Sequence, residues 1–397
     1  MKMLAVALFL LLTSSSAWAG AKSVKIGVLT DLTSFASRSA GQGSVDAAEI
    51  AVADFGGTVL GKPIEVVVAD MQSKPDLAVE IARRWYEREN VDVIVDVPNS
   101  AGALAIRALA TANKRLFVPT IAASAGITGK GCSPYTVHWV VNSTAIVRSF
   151  VSALTDAGAK TWFLLMPDYA IGKAFAAGAQ HYIQSVGGKV LDTVYFPVNN
   201  GDFGQFVLRA KASGADVIAT GAIGTDLSNL IKQANEFGVL PSSKQRLAAF
   251  VITVSEIHGT GLPIMQGVWA MQDFYWDQND QTRAFAKKFF AKEHRMPDFT
   301  HAGNYSAVTA YLNAVKESGT DDAATVVARL KHGTVMRFGE PSTVRADGRA
   351  IFNVRLYRVK SPAESTGPWD VLKPAGIIDS GKIFDPMSPA CPLAAAK

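Results

Sequence analysis

The amino-acid sequence predicts an α/β fold in which two doubly wound, parallel-sheet lobes follow one another. Short apolar runs alternate with segments whose apolar residues recur at helical spacing, a pattern typical of parallel strands covered by helices. The alternation pauses near residues 138–147 and then begins again. The chain has 397 residues, too many for one compact core, so we expect two lobes of similar design.

The predicted strands are the short apolar or alternating runs between these helical segments. They are Val24–Leu29, Ile64–Ala69, Val91–Val97, Leu116–Val118, Trp162–Met166, Val190–Phe196, Val217–Thr220, Ala248–Ile252 and Val268–Met271. Their strict alternation with helices predicts parallel sheets that are covered on both faces.

The predicted helices are recognised by apolar residues that share one face. Such faces include Val45, Ala48, Val52 and Phe55, and then Leu77, Ile81 and Trp85. Ser73 is the expected N-cap of the second of these helices. Residues 281–332 are mostly helical in pattern, and residues 347–348, Asp-Gly, predict a turn before an alternating strand.

Composition and charge exclude several classes of protein. Hydrophobic residues make up 49 % of the chain and charged residues 18 %, as in ordinary globular proteins. The formal net charge of +5 is scattered along the chain, so we expect no nucleic-acid partner.

The N-terminus has the pattern of a secretory signal peptide. Lys2 is followed by an apolar stretch from Leu4 to Leu12 and by the small-x-small sequence Ala17-Trp18-Ala19. A buried N-terminal helix would explain neither the lysine nor the alanines. We therefore predict cleavage after Ala19 and export to an oxidising compartment.

Cys132 and Cys391 are the two cysteines of the chain. In an exported protein an even number of cysteines favours pairing, so we predict a disulfide that ties the C-terminal tail to the first lobe. The alternative is two buried free thiols.

Small and hydroxyl-bearing residues follow several predicted strands, and this predicts a ligand site. In open parallel sheets, ligands bind beyond the carboxyl ends of the strands. Ser100 lies where a strand gives way to a helix, so it can cap that helix and bind an anion together with free backbone N–H groups. Ala122 and Ser124 follow the next strand and offer a carbonyl, a hydroxyl and an N–H group. The alternative is that Ser100 only caps its helix and the alanines only pack.

No motif for catalysis, metal binding or cofactor binding is convincing. Residues 41–46 resemble a dinucleotide-binding fingerprint, but Asp46 stands where its third glycine belongs. The histidines have no metal-ligand spacing, and Asp168, Asp226 and Glu256 fit helix caps and solvated loops better than a catalytic set. We expect no enzyme, no cofactor and no metal.

The mature chain resembles the periplasmic solute-binding proteins of ABC importers, in the branch that contains the leucine/isoleucine/valine-binding receptors with the type I periplasmic binding fold. The resemblance rests on an ordered series of segments: 24–33, 47–57, 61–85, 167–175, 187–221 and 338–360. The segment 361–373 is similar to a subgroup linked to the uptake of aromatic and other organic acids.

The resemblance implies a domain organisation. The first lobe takes residues 20–141 and 274–339, the second takes 142–273 and 340–375, and a tail at 376–397 returns towards the first lobe. It also implies three crossovers near residues 140–144, 271–275 and 338–342, about which the lobes close on a ligand.

The resemblance also implies ligand contacts. Ser100, Ala122 and Ser124 match family positions that bind the ligand carboxylate, and Tyr169 matches an aromatic residue that closes over the ligand. Arg38 could pair with an anion or simply face solvent. The full set of candidate ligand residues is Phe35, Arg38, Asn99, Ser100, Ala122, Ala123, Ser124, Tyr169, Gly221, Ile223 and Thr253.

Two departures from the family pattern bear on the ligand. Thr253 stands where amino-acid receptors carry an acid that holds the ligand ammonium, and Ile223 or Gly224 replaces a usual aromatic residue. A buried unpaired ammonium is costly, so the sequence favours a carboxylate without that charge, such as an aromatic or other organic acid. The alternatives are an amino acid or amide as ligand, or a sensor that acts on a membrane kinase. We expect a monomer whose partner is an ABC permease in the inner membrane.

Overall fold

A computed structural model describes residues 23–34, 36–241 and 244–394, and the structural statements below concern those residues. The predicted signal peptide and Phe35 lie outside them. Within them, no helix is both long enough and apolar enough to cross a membrane.

The strands and helices alternate along most of the chain. The strands are β1 (Val24–Thr30), β2 (Thr58–Val59), β3 (Lys62–Asp70), β4 (Val93–Asp96), β5 (Leu116–Pro119), β6 (Thr161–Pro167), β7 (Lys189–Phe196), β8 (Val217–Thr220), β9 (Arg246–Ala249), β10 (Trp269–Gln272), β11 (Thr334–Arg337), β12 (Glu340–Val344), β13 (Ala350–Ile351), β14 (Val354–Val359) and β15 (Leu372–Ile378). The helices are α1 (Gly41–Phe55), α2 (Pro75–Glu87), α3 (Ser100–Asn113), α4 (Ser143–Asp156), α5 (Ala170–Ser185), α6 (Gly204–Ala212), α7 (Gly224–Glu236), α8 (Val254–Thr260), α9 (Leu262–Met265), α10 (Asp280–Glu293), α11 (Phe299–Ser318), α12 (Ala323–Lys331) and α13 (Ser380–Ile383).

The strands form two large, mostly parallel sheets and one small one. The first sheet has the order β2-β3-β1-β4-β5, and only β2 is antiparallel to its neighbour. The second has the order β15-β14-β10-β9-β8-β6-β7, with β14 and β15 antiparallel at one edge. The third joins β11, β12 and β13. The predicted fold class is confirmed.

Helices cover both large sheets and define two lobes. We call the first sheet with α1–α3 and α10–α12 the first lobe, and the second sheet with α4–α9 and α13 the second lobe. The chain passes between them after β5, after β10, and again on the way from α12 to β14. The residue boundaries given above for the lobes stay a prediction.

Two local predictions about these elements are wrong in detail. The strand predicted at Ala248–Ile252 ends at Ala249, because the next residues leave the sheet to reach Thr253, the N-cap of α8. Ser73 does not cap α2. Pro75 is the first residue of that helix and restricts the residue before it to extended backbone, so Lys74 takes the N-cap position.

The predicted disulfide is confirmed. Cys132 and Cys391 are bonded, and their Cα atoms lie 5.5 Å apart although 259 residues separate them in sequence. The bond ties the C-terminal tail to the loop that follows β5, the loop that also carries Ala122, Ala123 and Ser124. Arg148 of α4 also holds the tail through an ion pair of 2.6 Å with Asp385.

Candidate functional site

The carboxyl ends of β4 and β5 lie side by side at one edge of the first sheet. These strands are parallel and paired in register, with Asp96 opposite Pro119. The loops that carry Ser100 and Ser124 therefore leave the sheet at the same level. The short 3-10 helix Ala125–Ile127 packs on α3, which brings the two loops together.

The turn after β4 is strained and directs the chain into α3. Asp96 and Val97 have φ angles of 79° and 59°, a left-handed region that a β-branched residue rarely adopts. Asn99, not Ser100, is the N-cap of α3, because its Oδ1 accepts a hydrogen bond of 3.0 Å from Gly102 N. Ser100 is the first helical residue, so the cap predicted for it is wrong.

This correction leaves Ser100 free to bind a ligand. Within the residues that the structure describes, the Ser100 hydroxyl and the N–H groups of Ser100 and Ala101 have no hydrogen-bond partner. They lie at the N-terminus of a 14-residue helix, where the helix dipole favours an anion.

The loop after β5 uses its carbonyl groups inside the protein. Ala122 O lies 2.7 Å from Nε2 of His138, and Ala123 O accepts a hydrogen bond of 2.9 Å from Ser143 N. The Ala122 carbonyl, expected to be available to a ligand, is thus already engaged. The N–H groups of Ala123 and Ser124 have no partner among the described residues, and the Ser124 hydroxyl accepts only a long bond of 3.3 Å from Gly126 N.

A buried polar network supports this edge from below. Asn304 of α11 donates to Asp96 Oδ1 at 3.0 Å and accepts from the Thr120 hydroxyl at 3.0 Å. It also donates to the Ser44 hydroxyl at 3.1 Å. Burial raises the pKa of Asp96 to about 6, although the hydrogen bonds that its carboxylate accepts act to lower the pKa. The sequence reading missed Asn304, because nothing local in α11 marks it as a partner of β4 and β5.

The second lobe presents apolar surface at its own strand ends. Tyr169 is the N-cap residue of α5 and Ile223 that of α7, and they are 37 % and 42 % exposed. Burial, followed by the charge of Asp226, raises the pKa of Tyr169. Gly221 is buried, and a Cβ there would lie only 3.2 Å from both Met166 Sδ and the Phe175 ring, so its role is to let these side chains pack.

The acids at this edge are all engaged within the second lobe. Glu256 accepts from Thr253 N through Oε2 and from Gly224 N through Oε1, each at 2.8 Å. Thr253 and Glu256 thereby form a capping box for α8. Asp226 accepts from two backbone N–H groups of the 199–200 turn, and Asp168 pairs with Lys173 at 3.0 Å.

Two contacts join the first lobe to α8 of the second. The Arg38 guanidinium reaches α8, since a Cβ on Gly259 would lie 3.3 Å from its Nη2. Asp298, just before α11, accepts a hydrogen bond of 3.0 Å from Ser255 N. Asp298 is buried, and burial raises its pKa to about 6 against the effect of the Ser255 bond. Sequence reasoning missed Asp298, whose partner is 43 residues away.

None of the predicted ligand residues that the structure describes lines the groove of about 530 Å³ between α10, α11, α12 and β11. In the described parts of the chain, no three His, Cys, Asp or Glu side chains come together in a way that could hold a metal ion. Phe35 cannot be placed, because it lies outside the described residues.

Two α/β lobes whose strand ends carry unpartnered donors on one side and apolar surface on the other define a ligand-binding protein. Comparison with known proteins gives the family: the family described as "Periplasmic binding protein" matches residues 23–367. The chain belongs to this family, and it is a binding protein, not an enzyme.

Solved structures of similar sequence agree with this assignment. A branched chain amino acid ABC transporter periplasmic ligand-binding protein from Burkholderia xenovorans LB400 is 40 % identical, with a TM-score of 0.89 over 94 % of this chain and all of that one. A periplasmic binding protein from Burkholderia mallei is 38 % identical, with a TM-score of 0.84 over the same shares. A solute binding protein from R. palustris in complex with benzoate, 19 % identical over 93 % of this chain and 99 % of that one, shares the fold with a TM-score of 0.78.

Among curated proteins, Leu/Ile/Val-binding protein homolog 6 of Brucella abortus is 25 % identical over 165 residues. The matched part spans 41 % of this chain and 42 % of that relative.

We expect the Asp298 carboxylate to make folding depend on pH. Its pKa in the fold lies above the ordinary 3.8, so the folded state binds a proton more tightly than the unfolded state between about pH 4 and 6. The charge therefore costs stability above pH 6, and that cost disappears below about pH 4. Asp298→Asn keeps an oxygen for Ser255 N and removes the charge. Compared with the wild type, the variant should have a higher free energy of unfolding at pH 7.5 and a smaller gain at pH 4. The two gains should differ by up to about 3 kcal/mol in denaturant titrations.

The exposed N-cap variant Asp379→Asn is the matched control. An Asp298→Asn effect of equal size at both pH values would contradict this account of Asp298.

Proposed function

We propose that this chain is the periplasmic solute-binding component of an ABC importer, which captures a small carboxylate ligand between its lobes and delivers it to a membrane permease. The observation that carries the proposal is the group of unpartnered donors at the edge of the first sheet. These are the Ser100 hydroxyl and the N–H groups of Ser100, Ala101, Ala123 and Ser124.

The chemistry of these donors suits a carboxylate. All of them are uncharged, and hydrogen bonds from neutral donors to a charged group contribute about 1.5–3 kcal/mol each. A micromolar dissociation constant corresponds to about 8 kcal/mol, which three or four such bonds and the burial of an apolar ligand body can supply.

Closure of the lobes would complete the site. A ligand held by the first lobe gains contacts with Tyr169 and Ile223 only when the second lobe comes down on it. That difference in contact energy is what shifts a two-state hinge towards its closed form, a motion known for periplasmic binding proteins.

An amino acid is the ligand class favoured by the relatives. The 40 % identical protein from Burkholderia xenovorans LB400 is described as a branched chain amino acid transporter component, and it aligns with nearly the whole chain. For such a ligand, Glu256 is one of three acids beside the second-lobe strand ends, with Asp168 and Asp226, that could also receive an ammonium. The comparisons thus favour the alternative of the sequence analysis over its first choice.

An organic acid without an ammonium is the second candidate. It is favoured because the acidic side chains at the second-lobe strand ends already have partners within the protein. Glu256, Asp226 and Asp168 already serve backbone groups or a lysine, and Thr253 carries no charge. An ammonium placed there would have to share one of these carboxylates.

The proposal also includes export of the chain with removal of residues 1–19. The partner of the exported protein is then a permease in the inner membrane. A role as a sensor for a membrane kinase would use the same cleft, so the partner alone separates the two roles.

The double variant Ser100→Ala with Ser124→Ala tests the carboxylate site. We expect at least a tenfold loss of affinity in titration calorimetry, because two hydroxyl groups near the carboxylate are removed. The control is Ser185→Ala with Ser213→Ala, two serines at the C-terminal ends of α5 and α6, which run back from the strand ends. Equal affinities for the wild type and the site variant would exclude this site.

Glu256→Gln separates the two ligand classes. If the ligand is an amino acid, the lost charge should weaken binding of L-leucine at least tenfold; if it is an organic acid, the affinity for benzoate should stay within about threefold. Glu236→Gln makes the same change at an exposed glutamate, at the C-terminal end of α7, and serves as the control. An unchanged affinity for L-leucine in Glu256→Gln would argue against an ammonium site at this residue.

A further inference from the structure

His138 links the ligand loop to the segments that cross between the lobes. It lies in the segment between β5 and α4 and is completely buried. Its Nε2 is 2.7 Å from Ala122 O, and its Nδ1 is 2.9 Å from Nη1 of Arg349. Arg349, 1 % exposed, precedes β13 in the last crossover and also donates to the carbonyls of His138 and Val140.

These contacts fix the tautomer of the imidazole. A guanidinium can only donate, so Nδ1 of His138 must accept from Arg349. The neutral ring then carries its hydrogen on Nε2 and donates it to Ala122 O. Burial, and then the charge of Arg349, lower the pKa of His138 well below its usual value, although the hydrogen bond to Ala122 O acts to raise it. The ring therefore stays neutral near pH 7. Asp347 accepts a hydrogen bond of 3.1 Å from Arg349 N, and Asp347 and Asp273 are the acids whose charges act on the guanidinium.

The orientation of two peptide groups follows from these bonds. In a trans peptide the C=O and the following N–H point in opposite directions. Since His138 holds Ala122 O, the N–H of Ala123 points away from His138. Since Ser143 N holds Ala123 O at 2.9 Å, the N–H of Ser124 points away from Ser143. Neither of these two N–H groups has a partner among the described residues.

We infer that His138 is a positioning residue for the ligand. His138 holds the Ala122 carbonyl on the side away from the ligand, and this directs the N–H of Ala123 towards the ligand carboxylate. Arg349 in turn fixes the orientation of the His138 ring. The inference rests on the proposed carboxylate site. It adds that the donors of the loop are oriented by the crossover segments, through His138, Ser143 and Arg349. The site and the hinge are therefore one hydrogen-bonded unit.

The test compares two substitutions of His138. His138→Leu removes the donor, so the Ala122–Ala123 peptide loses its anchor; we expect at least a tenfold loss of affinity for L-leucine or benzoate, whichever the wild type binds. His138→Gln keeps an N–H for Ala122 O and an oxygen for Arg349, and it should restore affinity to within about threefold. The control is Tyr86→Phe, which removes a buried bond to Leu116 O at the opposite end of β5 and should lower the melting temperature without changing affinity.

A ligand-independent measurement separates this inference from the proposed function. Nitrogen-15 NMR of the imidazole in the ligand-free wild type should show the Nε2–H tautomer at pH 7, even if neither probe binds. The Nδ1–H tautomer or a charged ring would overturn the inference, as would a folded His138→Leu variant with unchanged affinity. A wild type that binds neither probe but shows the Nε2–H tautomer would count against the proposed ligands and in favour of the positioning role.

Discussion

The central constraint on this structure lies at the carboxyl edge of the first sheet. Backbone N–H groups there have no partner in the described part of the chain and therefore need an acceptor from outside the protein. An N–H group that is removed from water on folding destabilises the folded state unless it donates a hydrogen bond to an acceptor. Here Asn99 satisfies one N–H of α3, and His138 and Ser143 engage the carbonyls of the neighbouring loop. The groups left without a partner among the described residues include the Ser100 hydroxyl and the N–H groups of Ser100, Ala101, Ala123 and Ser124, donors that an anion can bind. Asp96 Oδ2, buried below them, is an acceptor that likewise has no partner in the described structure.

The surrounding structure holds that cluster in place. The acids at the second-lobe strand ends accept hydrogen bonds from backbone groups or pair with a lysine, so each is held by partners of its own lobe. Asn304 joins the ends of β4 and β5 to α1, and the disulfide holds the tail against the loop after β5. The second lobe adds apolar side chains, which suits a ligand with a charged head and an apolar body.

The sequence predicted the fold well and the site partly. Strand and helix periodicity is local, so the two sheets and the edge that carries Ser100 and Ser124 could be read directly, and the cysteine pair followed from export. The N-cap moved to Asn99 because the strained turn after β4 has no sequence signal of its own. The roles of His138 and Glu256 depend on partners 16 and 32 residues away, and only the folded chain brings these together.

A crystal structure of the protein with its ligand is the most direct test of the carboxylate cleft. The account predicts carboxylate oxygens within about 3.2 Å of the Ser100 hydroxyl and of the backbone nitrogen of Ala123 or Ser124, with Tyr169 closed over the ligand body. A ligand whose carboxylate is held by a cationic side chain such as Arg38, or that sits outside the space between the two sheets, would contradict it.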